Sequence, residues 1–184
     1  MKCDCFFLEK NYYEEAFRIF EKAISLFHWP SLYNIWMLYL QKFIERYQDQ
    51  RIERTRDMFE KVLSQSPSAY KRIFFQMYAN FEETYGLINH AIEIYDRMVQ
   101  DVDYGEKLSA YNLYIAKVGN LLGVTKTRRI FEKAIETLED NELIQIGLRF
   151  AKLERRLGEI DRSRAIYKHI SQFCNPKEDK QLFW

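Results

Sequence analysis

Proline and glycine are scarce in this chain of 184 residues, three and six respectively. So little proline excludes a disordered tract, and with 47% apolar content the chain can bury a sizeable core as one helical domain. No excess of one charge sign exists either: 28 Lys and Arg face 27 Asp and Glu. A near-neutral chain has no global field to hold it on nucleic acid or an anionic membrane, so a protein partner is the default. Long hydrophobic runs are missing. The longest, Ile35-Trp36-Met37-Leu38-Tyr39-Leu40, falls far below the roughly 20 residues needed to cross a bilayer. Residues 1–8 do not make the apolar core of a secretory signal, so the chain is expected to stay inside the cell.

Cysteine is also rare. Cys3, Cys5 and Cys174 are an odd number in a chain large enough to fold without staples, which fits a reduced cytosolic or nuclear compartment. Cys3 and Cys5 resemble half of a metal site, but no second Cys or His pair follows, so no metal is expected. His28, His90 and His169 lie far apart and read as surface or core residues. The chain has no glycine-rich phosphate loop, nucleophile elbow, HExxH or EF-hand pattern. Adjacent carboxylates such as Glu14-Glu15 and Glu82-Glu83 point about 100° apart on a helix and read as solvated faces. Neither catalysis nor a cofactor is expected.

What the chain does contain is a repeat. The stretch Thr127-Arg128-Arg129-Ile130-Phe131-Glu132-Lys133-Ala134-Ile135 has near copies that bring Phe20, Phe59, Tyr95, Phe131 and Tyr167 into register, 39, 36, 36 and 36 residues apart. Four residues before each aromatic stands a small residue: Ala16, Thr55, Ala91, Thr127 or Ser163. One before it is Ile19, Met58, Ile94, Ile130 or Ile166, and three after it Ala23, Val62, Met98, Ala134 or Ile170. These offsets share one helical face, where small residues admit a neighbouring helix beside the aromatic. Upstream lies a second pattern, with Trp36 and Tyr39, Phe75, Tyr78 and Phe81, Tyr111 and Tyr114, and Phe150 and Leu153. The unit is therefore helix, turn, helix. Its expected core is Phe20, Trp36, Tyr39, Phe59, Phe75, Tyr78, Tyr95, Tyr111, Tyr114, Phe131, Phe150 and Tyr167.

The expected fold is an all-α, right-handed superhelical solenoid of antiparallel helix pairs, forming one array over residues 1–184. Its boundaries are a partial repeat over about 1–28, repeats over 29–66, 67–102, 103–139 and 140–175, and the start of another over 176–184. Second and first helices are expected over about 14–27 and 32–47, with a turn at Gln48-Asp49-Gln50. Ser66-Pro67 and Asn175-Pro176 read as an N-cap followed by proline at the first helical position, with Asp103 and Asp140 as caps in the phases between. Gly86, Gly123 and Gly158 sit where an interhelical turn calls for positive φ. Phe7-Leu8-Glu9 at one end and Phe183-Trp184 at the other fall inside repeats, so the chain is expected to be a piece of a longer array or to have ends that another chain covers. Apolar surface around Phe6, Phe7 and Trp184 would favour self-association.

WxxYxxFE-like first helices and RxIFEKAI-like second helices resemble the half-a-tetratricopeptide (HAT) repeat of RNA-processing factors. The strings Ile24-Ser25-Leu26-Phe27 with Trp29-Pro30, Ile35-Trp36 with Tyr39-Leu40 and Lys42-Phe43-Ile44, Gly123-Val124-Thr125 with Thr127-Arg128, and Leu157-Gly158-Glu159-Ile160-Asp161-Arg162 are similar to the Syf-type pre-mRNA-splicing factor family, also called the XPA-binding protein family. The resemblance covers essentially the whole chain. It implies a nuclear, non-catalytic scaffold of the spliceosome-associated Nineteen complex. Its partners would be other members of that complex, a second HAT-repeat scaffold and an Aquarius-type helicase, with a link to transcription-coupled repair that nothing in the sequence shows. A HAT scaffold of another RNA-processing complex, for polyadenylation or ribosomal RNA maturation, and a direct RNA-binding module stay open beside it.

The repeat family favours Glu late in the first helix and Arg early in the second, and here only Glu154 with Arg164 supplies both in one unit. A regular ladder of buried ion pairs is therefore not expected. Arg128-Arg129 and Arg155-Arg156 could track phosphates, yet acids interrupt the basic residues, as in Lys152-Leu153-Glu154-Arg155-Arg156. The placed aromatics lie on packing faces, so RNA contact is at most secondary. The sequence does not indicate which residues touch a partner.

Overall fold

The structure, a computed structural model, describes residues 13–173. Expectations that fall on residues 1–12 and 174–184, including the cysteines, Asn175-Pro176 and the apolar ends, lie outside it. The described residues form nine α-helices and one 3₁₀ turn, with no strand among them. They divide into two compact units, one up to Asp101 and one from Val102 onward.

In the first unit, α1 (Tyr13–Leu26), α2 (Ser31–Tyr47), α3 (Ile52–Gln65), α4 (Ser68–Tyr85) and α5 (Ile88–Asp101) pack each against the next. The second unit holds α6 (Tyr104–Leu122), the 3₁₀ turn (Val124–Thr127), α7 (Arg128–Thr137), α8 (Asp140–Arg156) and α9 (Ile160–Ile170), again in sequential contact. The recurrent small residues let these helices approach. Ala16, Thr55, Ala91, Thr127 and Ser163 are all buried. Where that residue is polar its hydroxyl is bonded: Thr55 donates to the Arg51 carbonyl at 3.1 Å, Thr127 to Val124 at 2.6 Å and Ser163 to Ala151 at 2.9 Å. Burial therefore leaves no hydroxyl unsatisfied.

Of the twelve aromatics expected in the core, all but Tyr167 are buried. Tyr167 is half-buried, as is Ile166, on a helix that packs among the described helices chiefly on α8. The aromatics stack across a junction that the hairpin pattern does not announce. Phe20 lies on Tyr39 at 5.3 Å and 15°, Phe59 on Tyr78 at 4.7 Å and 7°, and Phe131 on Phe150 at 4.9 Å and 3°. Each stack joins a second helix to the first helix of the following repeat. Neighbouring hairpins are thus locked through large apolar surfaces, each ring burying on the order of 150–250 Å².

The turns differ from the sequence expectation in detail. Ser66 ends α3 instead of capping α4: its N–H bonds to the Val62 carbonyl at 2.9 Å and its backbone is extended, as the residue before a proline prefers. Pro67 takes the cap position and α4 starts at Ser68. Asp103 stands at the cap of α6 without a side-chain capping bond, and α8 begins at Asp140 with Glu139 before it. Gly123 and Gly158 have φ of 92° and 84°, whereas Gly86 has φ −109°. Gly86 is there for space. A Cβ on it would lie 2.0 Å from Oε2 of Glu82.

Candidate functional site

The described residues hold no group of three or more His, Cys, Asp or Glu able to bind a metal. No helix among them is long and apolar enough to cross a membrane. Among the described residues, the helix junctions and the surface concavities are the two settings of interest.

Three residues before the second-helix aromatic and four after the first-helix aromatic of the next repeat, two side chains meet. At the α3–α4 junction they are Arg56 and Glu82. Arg56 donates from Nε and Nη2 to the two carboxylate oxygens at 2.7 and 2.8 Å, and Glu82 is fully buried. The Leu87 N–H reaches the same carboxylate at 3.3 Å, as does His90 Nδ1. In the second unit Arg128 makes the same fork onto fully buried Glu154, at 2.7 and 2.9 Å. Burial pushes the Glu82 carboxyl up, but the Arg56 fork, the Leu87 N–H and His90 outweigh it and hold the group below the usual carboxylate range. The carboxylate raises the Arg56 guanidinium in return.

These two bridges correct the pairing expected within one repeat, while the ladder stays irregular, since only two such pairs form among the described residues. Within one repeat, Glu154 and Arg164 are the pair that the sequence offers. In the structure Arg164 lies on the surface, 3.6 Å from Asp161. The ion pair instead joins a second helix to the next first helix, 26 residues on. The constant separation of Arg56 from Glu82 and of Arg128 from Glu154 was the signal that could have found it. Two other equivalent pairs of places are apolar, Phe17 with Phe43 before and Ile92 with Val118 between, while Arg164 occupies the equivalent place of the last second helix.

Each unit also carries a surface concavity. In the first, Phe20, Ala23, Phe27, Ile35 and Leu38, with Ser31 and Asn34, line a mainly apolar hollow of about 260 Å³ between α1 and α2. In the second, α6, α7 and α8 enclose an open cleft of about 400 Å³. Its apolar side is made by Ile115, Val124, Phe131 and Leu153, and Gly119 leaves room on α6. Arg149, Lys152 and Arg156 enter from α8, at spacings that share one helix face. Along the chain the charges around Lys152 are mixed. The fold separates them, because Glu154 turns inward to Arg128 and the cleft lining contains no carboxylate.

Sequential helix hairpins at a 36-residue spacing, with stacked aromatics at their junctions and no catalytic constellation among the described residues, define a helical-repeat protein of the half-a-tetratricopeptide class. Residues 3–184 match the profile of the pre-mRNA-splicing factor Syf1/CRNKL1 C-terminal HAT repeat, and the chain belongs to that family. It is similar to the pre-mRNA-splicing factor syf1 homolog of Drosophila melanogaster, 47% identical over 172 residues, which cover 94% of this chain and 20% of that protein. Pre-mRNA-splicing factor SYF1 of Homo sapiens is 44% identical over 179 residues, covering 97% of this chain and 21% of its own length. For pre-mRNA-splicing factor cwf3 of Schizosaccharomyces pombe the identity is 42% over 178 residues, with 96% and 22% covered. The chain spans about a fifth of the length of these relatives.

Proposed function

We propose that this chain acts as a protein-binding scaffold segment in pre-mRNA splicing, within the nucleus and the spliceosome-associated Nineteen complex. The observation that carries this reading is membership of the Syf1/CRNKL1 repeat family across residues 3–184. Relatives named as splicing factors support it, and so does a fold whose described side chains are spent on packing helices together. Such a segment works by geometry. Each hairpin fixes the next, and the helix surfaces left over present side chains at set spacings to a partner. Its partners in this reading are other splicing proteins of the complex, among them a second HAT-repeat scaffold and an Aquarius-type helicase.

Affinity purification of the tagged chain from nuclease-treated nuclear extract, followed by mass spectrometry, tests this. Splicing factors are the expected recovery. Polyadenylation or ribosome-assembly factors in their place would overturn the splicing assignment while leaving the fold intact.

A further inference from the structure

We infer that the cleft between α6, α7 and α8 is a docking groove for an acidic peptide segment that carries an aliphatic anchor. The inference deepens the scaffold reading, on which it rests only in taking the partner to be a protein.

Charge complementarity selects the occupant. Three cations of α8 line the cleft and no acid does. Arg149 is already bonded to the Asn112 side chain, which steadies it, while Lys152 and Arg156 have no hydrogen bond or ion pair among the described residues. Elsewhere in the fold forked cations are neutralised by carboxylates: Arg97 by Glu60 at 2.6 and 2.9 Å, and Arg128 by Glu154. The cleft therefore offers two uncompensated donors beside an apolar wall.

That wall argues for a peptide over RNA. Val124 is 43% exposed and Leu153 half-buried, so an aliphatic side chain entering the cleft finds apolar surface to cover. Bases would need an open aromatic face to stack on. The one aromatic in the lining, Phe131, is 3% exposed and its ring is already stacked on Phe150. Gly119 widens the entrance, since a Cβ there would approach nothing nearer than Thr127 Cγ2 at 3.6 Å.

The test is selection of displayed random peptides, about twelve residues long, on the immobilised chain. The expected result is enrichment of Asp and Glu together with Leu, Ile or Val. A synthesised winner should bind about tenfold or more weakly to Lys152→Glu/Arg156→Glu, lose affinity as salt rises, and be blocked by Gly119→Leu. Circular dichroism and thermal unfolding establish that the variants fold, and Lys152→Gln/Arg156→Gln replaces the charge reversal if it does not. Selection of nothing, enrichment without acids, or equal binding to the charge-reversed chain overturns the inference. So does an unstructured oligouridine that binds more tightly than the winner and is lost with the same two substitutions, because the cleft is then a phosphate track. Recovery of a different assembly from nuclear extract would leave the peptide result standing, so the two readings fail separately.

Discussion

At the junction of α1 and α2, Phe17 lies against Phe43 with ring centroids 5.3 Å apart. At the junction of α3 and α4 the same two places in the repeat hold Arg56 and Glu82, bonded through both carboxylate oxygens. The first solution needs no polar partner and extends into a larger aromatic cluster, in which Phe43 also meets Tyr47 at 4.7 Å and Tyr39 at 6.2 Å. The second puts a charge where no water reaches and has to surround it. The Arg56 fork, the Leu87 N–H, His90 and the missing Cβ of Gly86 all serve that one carboxylate. The position therefore demands that two side chains fill a gap between consecutive helices, and it accepts either chemistry so long as both partners agree.

The largest effect should come from breaking the aromatic version. Phe43→Ala removes a fully buried ring and is expected to cost about 3–5 kcal/mol, read as a fall in thermal or denaturant midpoint. A loss under about 1 kcal/mol would mean that the cluster closes over the gap and the ring is not a keystone.

Orphaning the carboxylate comes next. Arg56→Ala leaves Glu82 buried with only the Leu87 N–H and His90, and about 3 kcal/mol is expected, the low end for a broken buried pair, because those two contacts survive. Its pH dependence has a definite sign. Glu82 is held below its unfolded value, so its contribution is present above the ordinary carboxylate range and is lost as pH falls through the folded value. The gap between wild type and Arg56→Ala should be widest near neutral pH and should narrow on acidification below about pH 4. A gap independent of pH would show that Arg56 acts through packing alone.

The smallest effect should come from converting one solution into the other. Arg56→Leu with Glu82→Met removes both charges together, and stability should stay within about 1 kcal/mol of wild type or rise above it. A loss as large as that of Arg56→Ala would refute the equivalence of the two junctions.

Much of this was legible in the sequence, and the physical reason is period. The 36-residue spacing, the small residue before each aromatic and the aromatic itself are local demands of a helix that packs on both sides, so Phe59, Tyr95 and Phe131 fell into register without a structure. The ion pairs and the cleft did not. Their partners sit on different helices, and the grouping by hairpin assigned Glu154 to Arg164, inside one repeat, when its partner is Arg128 in the repeat before. Turn register does not distinguish those two choices; the separation shared by Arg56 with Glu82 and Arg128 with Glu154 does.

The sequence by itself determined that the chain is helical, that it repeats, where most helices lie and, Tyr167 apart, that the aromatics in register face inward, because helix periodicity and propensity act over a few residues. Only the tertiary structure decided that aromatics stack between repeats, that Gly86 makes room for a carboxylate, and that Glu154 leaves the basic face of α8. Those outcomes depend on which helix faces which, and contacts between helices are settled by packing volume and by the need to pair every buried charge.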